Sequence, residues 1–279
     1  MHKETFYTNK DIEDTRIAVF SDLHYYPSYP KEIFTKIINQ IKVSKPNFIA
    51  IIGDLLDCSD YSDLGPLKDF LTTLASITTT LVVTGNHDEK TGYRSNWHNY
   101  HSNEFVDLLN SIDNLYYLED KDITIGNITF YGFNPSYNYY IQNEPYNLFE
   151  KEIEKLHPKL NDKNYNITLI HTPLNIYTFL KNNKKHNLNK TDLILSGHTH
   201  NGCLPFWMSK SLNKLFHTNR SIISPSSKLF PKYAQGRIYE RDGYIYQGIS
   251  KLSKSTRFFF KFDKFYIKSI AIIDIKKHQ

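Results

Sequence analysis

Short apolar runs alternate with amphipathic helical patterns along the first part of the chain. The apolar run RIAVFSD (16–22) precedes residues 31–43, where apolar side chains recur on one helical face, and the run NFIAIIGD (47–54) follows. Strands of this length separated by a helix predict βαβ units, in which neighbouring strands are parallel.

The alternation continues to the end of the sequence. We predict further elements as follows: a helix near 66–76, a strand at 80–86, a helix near 102–112, a hairpin at 122–133 turning at Gly126 and Asn127, a strand at 166–171, a helix near 173–183, strands at 192–197 and 221–227, and late strands near 243–249 and 265–275. This order predicts an α/β fold, a two-sheet αββα sandwich with functional residues at the carboxyl ends of its strands. Without a repeat or a linker-like segment, we expect one domain over 1–279.

Composition narrows the possible classes of protein. Hydrophobic residues make up 40% of the 279 residues, which is enough for a sizeable core, and the net charge of +5 is too dilute to indicate nucleic-acid binding. Two cysteines, Cys58 and Cys203, imply no disulfide framework and favour a reducing compartment. No signal-peptide or membrane-spanning pattern occurs, so we expect a cytoplasmic protein.

Side chains able to bind metal follow the predicted strands. They are Asp22 and His24 after the first strand, Asp54 and Asp57 after the second, Asn86, His87 and Asp88 after the third, and His171, His198 and His200 after later ones. Taken singly, an aspartate or asparagine at a strand end is more often a turn residue or a helix cap. Five of the twelve histidines lie at such ends, however, and chance placement explains this poorly.

The stretch DLILSGHTHNG (192–202) places two histidines directly after an apolar strand. In an extended segment, side chains two residues apart point the same way, so His198 and His200 could reach one metal centre. The alternative for this pair alone is a surface loop with two solvated histidines. The other strand-end groups favour the metal centre.

The ordered motifs resemble those of the calcineurin-like metallophosphoesterases. They are Asp22-Leu23-His24, Gly53-Asp54-Leu55-Leu56-Asp57, Gly85-Asn86-His87-Asp88, His171 and Gly197-His198-Thr199-His200. They lie within residues 20–202, in the family's order. A later Tyr-rich hairpin, YIYQGISK, and the strand IAIIDI are similar to the YkuE and YaeI branch of bacterial phosphodiesterase-like proteins.

The resemblance implies a centre of two metal ions. Asp22, His24 and His200 would hold the first, Asn86, His171 and His198 would hold the second, and Asp54 would bridge them. Mixed oxygen and nitrogen ligands suit Mn, Fe or Zn. Two cations about 3.5 to 4 Å apart neutralise a phosphate ester, generate hydroxide and align the attacking and leaving oxygens.

The resemblance gives His87 a different role, in which it contacts substrate and stabilises or protonates the leaving oxygen. Asp57 would orient His87 by accepting a hydrogen bond from the other ring nitrogen. Asp88 has two possible roles, either in the site or as a cap of the following helix. Cys58 stands where some relatives carry a phosphate-binding arginine, which argues against protein-phosphatase substrates.

The implied activity is hydrolysis of a phosphodiester or pyrophosphate of a small or lipid-linked molecule, by in-line attack of a metal-bound hydroxide. The alternatives are a phosphomonoesterase, a nuclease, and a non-catalytic scaffold with the same fold. A nuclease is disfavoured because we find no added DNA-binding module. A scaffold is disfavoured because His87 and the whole ligand set are present.

Two segments rich in aromatic and basic residues bear on the substrate. Residues 204–216 combine an apolar face with Lys210 and Lys214, and residues 251–268 carry six basic side chains against one acidic. Such patterns also suit a packed helix and a strand pair, so that alternative remains open. The other interpretation is peripheral contact with anionic lipid on the inner face of the membrane.

Overall fold

Two six-stranded sheets with flanking helices make up the fold. The protein is represented by a computed structural model, which describes residues 1–57, 63–88, 103–141, 146–199, 236–238, 241–246 and 270–278. The strands are β1 (His2–Thr8), β2 (Thr15–Phe20), β3 (Phe48–Ile52), β4 (Thr80–Val83), β5 (Leu115–Tyr117), β6 (Asp122–Ile125), β7 (Ile128–Phe133), β8 (Tyr165–Ile170), β9 (Leu193–Ser196), β10 (Gly236–Ile238), β11 (Gly243–Ile245) and β12 (Ala271–Lys277). The helices are α1 (Lys31–Ser44), α2 (Gly65–Ile77), α3 (Asn103–Asn110), α4 (Tyr137–Ile141), α5 (Tyr146–Ile153) and α6 (Ile176–Asn182), with a 3-10 turn at Asn187–Lys190.

The strand order confirms the predicted α/β two-sheet sandwich. One sheet has the order β1-β12-β2-β3-β4-β5 and the other β10-β11-β9-β8-β7-β6. Strands β2 to β5 run parallel, and so do β7, β8, β9 and β11. The parallel strands of each sheet therefore end at a common edge, where the loops that carry the candidate residues begin.

The inner faces of the two sheets share one apolar core. The rings of Phe48 on β3 and Phe130 on β7 meet at 5.0 Å between centroids, and both side chains belong to that core. Helices α1 and α2 add to it from the outside, with the rings of Phe34 and Phe70 stacked at 4.4 Å. Helices α5 and α6 contribute to a second apolar cluster on the other sheet.

Local signals set the ends of the predicted helices. Helix α1 buries Phe34, Ile37 and Ile41 on one face and ends at Ser44; Lys45 donates the last helical N–H to the carbonyl of Ile41, and its left-handed backbone then turns the chain away from the helix. Helix α2 begins with a proline in its first turn, where the missing N–H is not needed. No helix among the described residues is long and apolar enough to span a bilayer.

The sequence pattern missed several short or polar elements. Among the described residues, strand β1 joins the sheet by pairing with the distant strand β12, in the register His2 with Ala271. Strand β5 and helix α4 are too short to show a period. The hairpin of β6 and β7 turns at Gly126 and Asn127 as predicted. The predicted strand at 221–227 lies outside the described residues, as do parts of the two late strands.

Replacing Phe130 by alanine tests the contact between the sheets. Because the ring is fully buried against Phe48, we expect Phe130→Ala to lower the free energy of unfolding by about 3–5 kcal/mol in urea titrations. Tyr116→Ala on the edge strand β5 is the control, since Tyr116 is 40% exposed, and should cost at most about 0.5 kcal/mol. Equal effects of the two variants would contradict the assigned core.

Candidate metal centre

Loops at one edge of the two sheets carry the candidate residues that the structure describes. They follow β2 (Asp22, His24), β3 (Asp54, Asp57), β4 (Asn86, His87, Asp88), β8 (His171) and β9 (His198). The first two loops are tied together because the N–H of Asp22 donates to the carbonyl of Gly53 at 2.9 Å. The predicted ligand His200 lies outside the described residues.

Asp54 belongs to two clusters of potential metal ligands. Asp54, His171 and His198 form one cluster, and Asp22, His24 and Asp54 form the other, with ligand atoms within 4.8 Å of one another in each. Oδ2 of Asp54 lies 3.2 Å from Nε2 of His171 and 3.8 Å from Nε2 of His24. Asp54 is therefore the residue that the two clusters share, and its role as a bridge between two metals, which the family resemblance implies, stays a prediction.

Asn86 supplies an independent test of whether the site suits a metal. Its Oδ1 is buried and has no hydrogen-bond partner among the described residues. A buried amide oxygen left in this state is costly, and an ion coordinated by the oxygen would compensate for that cost. Together with the imidazole nitrogens of His171 and His198, which lie 3.2 Å apart, the donor set fits a transition metal.

The backbone of the site is unusual. Four predicted ligands have positive φ although none is glycine: Asp22 (55°), His24 (48°), Asp54 (52°) and His198 (68°). Such conformations are uncommon and concentrate at functional sites. The extended backbone assumed at His198 from the sequence is wrong, because β9 ends at Ser196 and the N–H of Thr199 turns back to the carbonyl of Gly197.

The charges of the buried groups depend on one another. Burial alone would lower the pKa of His171, but the Asp54 carboxylate outweighs it and raises this pKa to about 10. Burial likewise opposes ionisation of Asp54, yet the neighbouring imidazoles hold the pKa of its carboxyl well below the usual value. For Asp88, burial and the charge of Asp54 raise the pKa to about 7. Asp54 is thus kept in the charged form that a metal ligand requires.

His87 lies beside these clusters and keeps a partly exposed ring, 17% accessible. Its Nδ1 lies 2.9 Å from the backbone carbonyl of Asp57, whereas the carboxylate of Asp57 is 3.8 Å away. The group of Asp57 that accepts the hydrogen bond from His87 is therefore the main-chain carbonyl and not the carboxylate predicted from the sequence. Because the carbonyl accepts from Nδ1–H, the neutral ring carries its lone pair on Nε2. The same carboxylate lies 3.8 Å from Nδ1 of His24.

Tyr140 is a residue at this edge that the sequence argument missed. Its ring centroid lies 5.4 Å from that of His198 and 6.3 Å from that of His171. Tyr140 sits on α4, a helix of five residues with no detectable period, so no sequence signal placed it here.

The two-sheet α/β fold gathers aspartate, asparagine and histidine side chains in its strand-end loops, where they form a candidate metal centre. The family model described as calcineurin-like phosphoesterase matches residues 15–202, a range that contains every predicted ligand. The chain belongs to the calcineurin-like phosphoesterase family. Its place in the YkuE and YaeI branch remains a prediction.

Curated relatives are described as metallophosphoesterases. An uncharacterized metallophosphoesterase of Campylobacter jejuni is 25% identical over 229 residues, covering 80% of this chain and 54% of the relative. One from Helicobacter pylori is 26% identical over 243 residues, covering 84% and 58%, and one from Aquifex aeolicus is 27% identical over 225 residues, covering 80% and 77%. The chain thus spans little more than half the length of the first two relatives.

Gly85 offers a test of how tightly the centre is packed. A Cβ at this position would overlap Oδ1 of Asp54 and approach Cδ2 of His171 to 2.7 Å, so Gly85→Ala must displace ligands. We expect about 10–100-fold weaker Mn²⁺ binding, measured by calorimetry on chelator-treated protein. Gly65→Ala is the control, because among the described residues its Cβ would meet Asp63 alone, at 3.4 Å. Unchanged affinity in Gly85→Ala would contradict this geometry.

Proposed function

We propose that the protein is a binuclear metal-dependent phosphoesterase that hydrolyses a phosphodiester or pyrophosphate bond of a small or lipid-linked molecule. The observation that carries the proposal is the Asp54 carboxylate, shared by two clusters of ligands beside His87. Family membership supports phosphoester hydrolysis, while the preference for diesters rests on the sequence argument.

The proposal assigns each described side chain a role. Asp22 and His24, with His200 as the predicted third ligand, would hold one ion, and Asn86, His171 and His198 would hold the other. When bound, the ions supply positive charge for the phosphate and an activated water. Mn, Fe or Zn all fit this donor set.

The proposal assigns His87 the role of general acid for the leaving oxygen. The carbonyl of Asp57 holds Nδ1, and the backbone N–H of His87 donates to Oδ1 of Asp54 at 2.8 Å, which fixes the residue against the centre. A protonated ring would present Nε2–H to the departing oxygen, and such transfers contribute about 10²–10⁴-fold in rate. The described ligands together with His87 favour an enzyme over a non-catalytic scaffold.

Lipid-linked substrates and membrane contact remain proposals. The segments 204–216 and 251–268, on which they depend, lie outside the described residues, as do Cys58 and Cys203. A cytoplasmic location also remains a sequence-based prediction.

Activity measurements on stripped and reloaded protein test the proposal. We expect protein treated with chelator and reloaded with Mn²⁺, Zn²⁺ or Mg²⁺ to cleave bis-p-nitrophenyl phosphate faster than the monoester.

His87→Ala should lower kcat by about 10²–10⁴-fold with metal content unchanged. His157→Ala, at an exposed position, is the matched control and should retain full activity. Two tightly bound ions without turnover of either ester would favour the scaffold.

Asp54→Ala tests the shared carboxylate. Because both clusters lose the same ligand, we expect the bound metal to fall below one ion per chain in elemental analysis after dialysis, with loss of turnover. His198→Ala removes a ligand from one cluster and should leave the other ion bound. Full activity of Asp54→Ala would refute the bridge.

A further inference from the structure

Asp88 directly follows Asn86 and His87 in the sequence but belongs to neither of the two ligand clusters that share Asp54. It is fully buried, its Oδ1 accepts the N–H of Leu56 at 2.8 Å, and its Oδ2 accepts the N–H of Gly85 at 2.8 Å. Both bonds lead back to the loops after β3 and β4, and the next described helix, α3, begins only at Asn103. Among the described residues, these bonds tie Asp88 to the site, which is one of the two roles that the sequence left open.

The two amides belong to the loops after β3 and β4, which carry the candidate ligands Asp54 and Asn86. Leu56 stands between Asp54 and Asp57, and Gly85 directly precedes Asn86 and His87. A second link joins the same loops, since Oδ1 of Asp54 accepts the N–H of His87. The Asp88 carboxylate therefore ties the loop of the shared carboxylate to the loop of Asn86 and His87.

Only a carboxylate can make both bonds at this position. Both partners are N–H donors, so both oxygens of Asp88 must accept, whereas an asparagine offers one acceptor and one donor. Burying this charge near Asp54 is costly, and the two amides compensate for part of that cost. Removing the carboxylate would leave two buried N–H groups without this partner, and the loops would still be joined by the hydrogen bonds from His87 to Asp54 and Asp57.

On the basis of this geometry, and resting on the proposed function, we propose that Asp88 is a positioning residue for the metal centre. Its carboxylate binds the backbone N–H groups of Leu56 and Gly85, and in this way it sets the spacing between Asp54 and Asn86. Asp88 need not touch metal or substrate, and it acts through the ligands that the two loops carry.

The test compares Asp88→Asn with Asp192→Asn. Asp192 also accepts a backbone amide, that of Asn166 at 2.7 Å, but it precedes β9 and so lies at the other edge of the sheet. We expect Asp88→Asn to weaken Mn²⁺ binding about 10–100-fold in calorimetry, and excess Mn²⁺ to restore part of the activity. Asp192→Asn should lower the Tm but keep Mn²⁺ affinity within about twofold.

A purely structural role would give a different result. If Asp88→Asn lowers the Tm and leaves Mn²⁺ affinity unchanged, the positioning role is wrong. Should Asp88→Asn fail to fold, Asp88→Glu decides, because it keeps both acceptor oxygens one methylene further out. Weaker Mn²⁺ binding by the folded glutamate variant supports the role, and wild-type affinity overturns it.

Binding is measured without substrate, which separates this inference from the proposed function. Wild-type protein that binds Mn²⁺ but cleaves no phosphoester would overturn the proposed function and leave the comparison of variants valid. Wild-type protein that binds neither Mn²⁺ nor Zn²⁺ would overturn both.

Discussion

The buried carboxylate of Asp54 is the group on which the rest of the site depends. It is 1% exposed, and an uncompensated charge at such a position would cost several kcal/mol. The imidazole of His171 and the backbone N–H of His87 therefore converge on it. A buried carboxylate that stays ionised attracts cations strongly, and the potential metal ligands around it add to that attraction.

Holding this arrangement requires a rigid support. The four ligands with positive φ carry strain of about 1–3 kcal/mol each, which persists only where the surroundings determine the conformation. The shared core of the two sheets and the hydrogen bonds between the loops fix these conformations. The hydrogen bonds include the one from the N–H of Asp22 to Gly53 and the two from backbone N–H groups to Asp88. This strain lies at the edge that carries the candidate ligands, and the two sheets beside it pack against each other through an apolar core.

Function follows from the donor set more than from the fold, since one fold can host many chemistries. The family match over residues 15–202 and the two clusters that share Asp54 both support the proposed phosphoester hydrolysis. The ring of Tyr140 approaches that of His198 at the same edge.

The sequence by itself determined the two-sheet class and most of the candidate ligands, because each follows an apolar strand and parallel strands end at a common edge. The helices at 31–44 and 65–77 were predictable for the same local reason, a clear apolar face. Only the tertiary structure decided that the Asp57 carbonyl, not its carboxylate, holds His87, and that Asp88 joins its own loop to the earlier loop after β3. The pairing of β1 with β12 also joins residues more than 260 apart. These features depend on long-range geometry, which local periodicity does not encode.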